Sequence, residues 1–147
     1  MKISTKVEYG LVAIIDIALY SKDNQSVNSV QISERHGISK KFLEQIMNSL
    51  RTAKLVVALK GSKGGYKLFK PADKITLTEI LNALDVSILS NNLNTFSYNS
   101  DIKQLIDDTI WNRMNDSILA ISNSITLAEL IDKYINMKNN ETLMYYI

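Results

Sequence analysis

"LKGSKGGYKL", Leu59 to Leu68, packs three glycines and three lysines between two short apolar runs, and its reading decides the fold. A cradle for a nucleotide phosphate needs a strand before the loop and a helix starting at its far end. Backbone N–H groups and the helix dipole then converge on the anion. Here the loop is left by "YKLF", Tyr66 to Phe69, a β-like run that stops at Lys70-Pro71, and no Lys-Ser or Lys-Thr follows the last glycine. Strand, glycine turn, strand is the pattern of a hairpin. The predicted strands are Val56 to Leu59 and Tyr66 to Phe69, and Gly61 to Gly65 form the tip.

Upstream of the hairpin stands "VNSVQISERHGISKKFLEQIMNSLRTAKLV". Val30, Ile32 and Ile38 bracket a short helix ending at Gly37, a residue suited to a left-handed C-cap. Ser39 is placed to N-cap a second helix, whose buried stripe is Phe42, Leu43, Ile46, Met47 and Leu50. Two helices joined by a tight glycine turn make a helix-turn-helix. Earlier still, "STKVEYGLVAIIDIALYS" places apolar residues at 7, 11, 14, 15, 18 and 19, one face of a helix, and Lys22 to Ser26 is a polar break. Helix, helix-turn-helix, hairpin is the order of a winged helix.

That order gives the lysines a task. Lys60, Lys63 and Lys67 lie where a wing meets phosphates or a minor groove, neutralising charge and releasing counterions. The polar face of the second helix is Lys40, Lys41, Glu44, Gln45, Asn48 and Arg51, and its N-terminal part is expected to enter the major groove. There Glu44 can accept from a cytosine amino group and Gln45 can pair with adenine. Ser39, Ser62, Lys2 and Lys6 complete the candidate DNA-binding set. The competing reading is an ordinary solvated face with Lys40 and Glu44 as an i,i+4 pair.

The charge distribution agrees with a polyanion partner. Net charge is only +2, yet residues 1–70 hold 12 Lys or Arg against 5 Asp or Glu, while residues 71–147 hold 5 against 10. A basic half is thus joined to an acidic one. The 147 residues suffice for a real core, and an apolar share of 46% excludes a disordered chain. The most apolar run, Tyr9 to Tyr20, is interrupted by Asp16, so no membrane span is expected. Without cysteine there is no disulfide framework and no thiolate, and a cytoplasmic protein is expected.

After Pro71 the character changes. "ITLTEIL" (75–81) and "ITLAELI" (125–131) both carry Thr-x-x-Glu and read as capping boxes opening short helices. "SNNLNTFSYNS" (90–100) reads as a loop. From Asp101 a long helix is predicted to about Ser122, with a stripe of Ile102, Ile106, Ile110, Met114, Ile118 and Ile121, widened by Leu105, Trp111 and Leu119. So wide a face needs a cover. One is the chain's own first helix; the favoured one is a second subunit, because reading a palindrome takes two wings related by two-fold symmetry. The expected fold class is mainly α with a small β-hairpin. Residues 1–71 form a winged helix-turn-helix DNA-binding domain, and 72–147 a linker and dimerisation or regulatory region.

"MKISTKVEYGLVAIIDIA", "ISERHGISKKFLEQIMNSLR", "LKGSKGGYKL" and "IWNRMNDSILAISNSITLAELI" resemble the Rrf2 family of winged-helix transcription regulators, the IscR, NsrR and CymR type. The resemblance covers nearly the whole chain, and Leu43-Glu44-Gln45 with Gly64-Gly65-Tyr66 is its most specific part. It implies DNA contacts by position at Lys41, Glu44 and Lys60. Val7-Glu8 stands where relatives commonly have Gly-Arg, so the basic contact that the resemblance implies near the N-terminus is not matched at those two positions. Many relatives hold an iron–sulfur cluster through cysteines in the loop before the long helix. Val86 to Ser100 has neither Cys nor His here, so no cofactor and no metal is expected. The only histidine, His36, reads as a satisfied helix-end residue.

The missing cysteines and the ending "NNETLMYYI" look most like the CymR-type repressors of cysteine metabolism, whose relatives sense sulfur status through a complex with cysteine synthase. Under that resemblance Tyr145, Tyr146 and Ile147 form a partner-binding tail, with Ile147 the anchor. The alternative is that the two tyrosines fold back on the core. An enzyme is not expected, since no nucleophile motif or metal constellation is present. A winged-helix dimer used only for protein contacts, or a family member answering another signal, remains the rival function.

Overall fold

The structure, a computed structural model, describes residues 2–90 and 100–146. Helix α1 (Thr5–Tyr20) starts at Ser4, whose hydroxyl accepts from the Val7 N–H. Helix α2 (Ser29–His36) has a closed capping box between Asn28 and Gln31 and ends at Gly37, at φ 66°. Helix α3 (Lys40–Thr52) is N-capped by Ser39, which accepts from the Phe42 N–H. Strands β1 (Val56–Leu59) and β2 (Gly65–Leu68) pair antiparallel, with Val56 opposite Leu68 and Leu59 opposite Gly65. The helix-turn-helix and hairpin therefore lie where the sequence placed them. The second strand starts one residue early, and Phe69, predicted inside it, lies beyond its end and is exposed.

One strand residue was not foreseen. Val27, just after the polar break, exchanges both backbone hydrogen bonds with Tyr66, at 2.9 and 2.7 Å, and so adds a one-residue third strand to the wing.

Helix α1 is buried more widely than its single predicted stripe. Val7, Ile14 and Ala18 are buried as expected, and Leu11, Ile15 and Leu19 are half-buried; Gly10, Ala13, Asp16 and Ile17 are buried as well. The reason is its place in the middle of the fold. It packs against α2, α3 and β2 and also against two later helices, α4 (Leu77–Leu84) and α7 (Leu127–Tyr145). In α3, Leu43, Ile46, Met47 and Leu50 are buried, while Phe42 is half-buried and meets Tyr9 edge-to-face at 5.8 Å. The shared core runs past Pro71: Ile75, Ile80, Leu84 and Leu127 are buried with Ile14, Ile32 and Leu50.

The two echoing segments meet. The Leu77 N–H donates to the Ile125 carbonyl and the Leu127 N–H to that of Ile75, each at 2.9 Å, which sets the starts of α4 and α7 side by side. Thr76 and Glu79 close a capping box, but the second pair does not. Thr126 accepts from the Glu129 N–H, while the Glu129 carboxylate turns to Lys133 at 2.8 Å. Nor is the second helix short, since α7 runs for 19 residues. Both helix starts are held by the same pairing; what differs is Lys133, one turn along α7, which gives the Glu129 carboxylate an i,i+4 partner.

The predicted long helix runs from Asp101 to Ser124 in three pieces: α5 (Asp101–Ile106), a π turn (Asp107–Trp111) and α6 (Asn112–Ser124). Its C-terminal part packs on the body of the chain. Ile118 and Leu119 pack on the core, and buried Ser122 accepts from the Thr78 hydroxyl at 2.8 Å.

Candidate nucleic-acid interface

Helix α3 offers one apolar and one polar side because its apolar residues recur every three or four positions. Burying Leu43, Ile46, Met47 and Leu50 turns Lys40, Lys41, Glu44, Gln45, Asn48 and Arg51 outward, and all six are exposed. The Lys40–Glu44 pair does not form. Among the described residues neither side chain has an ion-pair partner, so the Glu44 carboxylate and both N-terminal lysines are available to a ligand. Further along, Arg51 donates to the Asn48 side-chain oxygen at 3.2 Å.

The wing is mounted on the end of this helix. The Leu55 N–H donates to the Leu50 carbonyl at 3.0 Å, and the Phe69 N–H to that of Leu55 at 3.0 Å, so the hairpin cannot swing independently of α3. Lys60, Ser62 and Lys63 are exposed around the tip, while Lys67 is half-buried in β2. The tip is pinned by Ser26, whose hydroxyl donates to the Lys63 carbonyl at 2.7 Å.

The glycines serve backbone packing. A Cβ on Gly64 would stand 2.7 Å from the Leu59 carbonyl oxygen and 2.8 Å from that of Gly61. On Gly65 it would stand 2.7 Å from the Val27 carbonyl oxygen. Only residues without side chains let the tip close this tightly and let Val27 pair with the strand.

Lys2 is exposed ahead of α1. Lys6, in its first turn, is half-buried and adds to the electrostatic hold on Asp85, whose carboxyl lies below its ordinary value chiefly through hydrogen bonds from the Ser87 hydroxyl and N–H. The six stripe residues fall into two groups. Ile102, Ile106, Ile110, Met114 and Ile121 are exposed, Ile102 by 71%, whereas Ile118 is half-buried on the core. The first helix thus does not cover the stripe. Tyr145 and Tyr146 are 92% and 87% exposed and do not fold back on the core; Ile147 lies outside the described residues.

Sequence reasoning missed the ion pairs behind this surface. Asp16, on α1, is 2% exposed and accepts from Arg35 and His36 at the end of α2. The Asp16 hydrogen bond raises the Arg35 pKa further above its ordinary value, against a smaller opposing effect of burial. The signal was present in the sequence: one carboxylate inside an apolar helical run needs a cationic partner.

The donors in this chain do not suit a thiolate-held iron–sulfur cluster. It has no cysteine, and the His36 Nε2 is 2.7 Å from a carboxylate oxygen of Asp16. Among the described residues no three His, Cys, Asp or Glu side chains gather as metal ligands. An iron–sulfur cluster, which takes thiolates, does not fit. Among the described residues, no helix is long and apolar enough to cross a membrane.

Comparison with known proteins gives the following. The profile of the family described as "Rrf2: Iron-dependent Transcriptional regulator" matches residues 3–133. The HTH-type transcriptional regulator IscR of Yersinia pseudotuberculosis is 33% identical over 147 residues, spanning 97% of this chain and 89% of that protein. The structure of CymR, the global cysteine regulator of B. subtilis, superposes with a TM-score of 0.76 at 29% identity, covering 90% of this chain and 98% of that one. IscR of T. potens gives 0.72 at 29% identity, covering 91% and 88%.

Proposed function

The chain belongs to the Rrf2 family of transcriptional regulators, and from that premise we propose that it is a cytoplasmic, cluster-free repressor that binds palindromic operators as a homodimer. The observation that carries the reading is the exposed polar face of α3, with Lys40, Lys41 and Glu44 in no ion pair among the described residues, beside exposed wing lysines. In this reading α3 lies in the major groove with Lys41, Glu44 and Gln45 at base edges, while Lys60 and Lys63 hold the flanking backbone. The exposed stripe of α5 and α6 supplies the partner surface, since apolar patches of this kind on a folded monomer mark association sites. The test measures binding to a selected operator and to random DNA across salt, together with the sedimentation mass. A monomer at micromolar concentration, or binding indifferent to salt, rejects the proposal.

The finer reading is CymR-like control of cysteine metabolism. Support comes from the likeness to B. subtilis CymR, from the absence of cysteine, and from the exposed side chains Leu143 to Tyr146 at the end of α7. The proposed partner is cysteine synthase, with the terminal carboxylate of Ile147 entering its substrate-carboxylate site and the Ile side chain filling the adjoining apolar space. Deleting Ile147 should abolish calorimetric binding to cysteine synthase and leave DNA binding intact. Unchanged affinity removes the anchor.

A further inference from the structure

Among the described residues Asp16 is the only buried charged side chain, and it stands midway along α1 between Ile14 and Ile17. Both its oxygens are taken. Oδ1 accepts from Arg35 Nη2 at 2.6 Å; Oδ2 accepts from Arg35 Nε at 2.7 Å and lies 2.7 Å from His36 Nε2. On another side the Arg35 guanidinium lies 4.4 Å from the centre of the Tyr20 ring. The Arg35 side chain remains only 33% exposed.

The position of this cluster matters more than its strength. Arg35 and His36 are the last two residues of α2. They are followed by left-handed Gly37, by buried Ile38 and by Ser39, the cap of α3. The turn itself is tied by the Ser33 hydroxyl donating to the Ile38 carbonyl at 2.6 Å. Fixing Arg35 on α1 therefore fixes the direction in which α3 leaves the turn. The wing strand β2 also packs on α1, so both parts of the interface are referred to one helix. An ion pair built on a buried carboxylate is a poor source of stability, because an apolar pair of the same volume often does as well or better. What the fork of Arg35 adds is a fixed angle, which two parallel hydrogen bonds impose and one does not.

We propose that Asp16 is a positioning residue for DNA recognition: by clamping Arg35 and His36 it sets α3 relative to the wing, and so controls discrimination between operator and other DNA. Arg35, although a cation in the basic half, is then a frame residue and no phosphate contact. This rests on the reading of α3 and the wing as the DNA surface.

The experiment uses the full chain and an operator selected from random duplexes. Affinity for that operator and for an unrelated duplex is measured across salt for wild type, Asp16→Asn, Arg35→Lys and the double variant Asp16→Leu with Arg35→Met, with thermal unfolding as the folding control. Arg35→Lys keeps the charge but loses the fork. It should bind the operator at least tenfold more weakly, with affinity for the unrelated duplex within twofold of wild type and an unchanged salt slope. Asp16→Asn, if it remains folded, and the double variant, whose apolar pair replaces the ion pair without leaving a charge unpaired, should show the same loss of selectivity. Equal loss on both duplexes with a slope reduced by about one in the double variant would make Arg35 a phosphate contact and overturn the proposal. Folded variants as selective as wild type would reduce the cluster to a structural ion pair and overturn it too. A wild-type chain that selects no DNA rejects the underlying reading first, and this proposal with it.

Discussion

Glu44 and Lys63 are both exposed charges, but they stand on different supports. Glu44 projects from a rigid helix held by four buried residues, which suits it to read one base edge. Lys63 sits at the wing tip on a flexible stem, which suits it to a phosphate. Glu44→Ala should relax base preference at one position per half-site, by about 1–3 kcal/mol. Lys63→Ala should weaken all sequences alike and lower the salt slope by about one. A binding-site selection run on both variants checks the pair. Gly10 carries a different kind of expectation. Its missing Cβ would stand 2.4 and 2.5 Å from the terminal carbons of Leu84, itself buried, so α1 and α4 touch there without a spacer. Gly10→Ala gains about 1 kcal/mol of helix propensity. It also overpacks a closed contact, at a cost of about 1–3 kcal/mol. The balance should be destabilising, read as a lower urea midpoint.

At the scale of elements, the π turn explains how an apolar stripe can repeat every four residues. At about 100° per residue, Ile102 and Ile118 would lie about 160° apart on a straight α-helix. One extra residue in the π turn takes back about 100°. Residues of α5 and α6 therefore return to one side of the segment, and Ile102, Ile106, Ile110 and Met114 remain exposed together. Deleting Thr109 removes the added residue and should swing the apolar side chains of α5 away from those of α6. For the proposed dimer, sedimentation should then show weaker association, with helix content retained by circular dichroism; association of undiminished strength contradicts this account.

Across the whole molecule, the wing and the later helices are joined by polar as well as apolar ties. Lys70, just past the wing, pairs with Glu79 of α4 at 2.6 Å. Burial pushes the Glu79 carboxyl up. Together, the Lys70 ammonium and the Thr76 N–H and hydroxyl outweigh that effect and hold it below the ordinary 4.5. A carboxyl depressed in the folded state adds stability above its unfolded value and loses it as pH falls through the folded one. Glu79 should thus contribute fully above about pH 4.5 and progressively less below it. Its side chain is 40% exposed, so solvent screening keeps the effect to about 1 kcal/mol or less. The thermal midpoints of wild type and Glu79→Gln should differ near neutrality and converge as the pH is lowered through this window.

Sequence alone determined the elements whose signals are local. Gly37, Ser39 and the spacing of Leu43, Ile46, Met47 and Leu50 fixed the helix-turn-helix, because caps and periodicity act within one or two turns. Gly61 to Gly65 between two apolar runs fixed the wing, since few residues tolerate such close backbone approach. The polar face of α3 followed from the same periodicity. Tertiary structure decided what depends on partners far along the chain: the Val27 strand, the widened burial of α1, the pairing of Ile75–Leu77 with Ile125–Leu127, and the use of Arg35 by Asp16. Arg35 looked like one more cation in a basic half. Only the packing of α2 on α1, which brings it to a carboxylate 19 positions away, turned its charge inward.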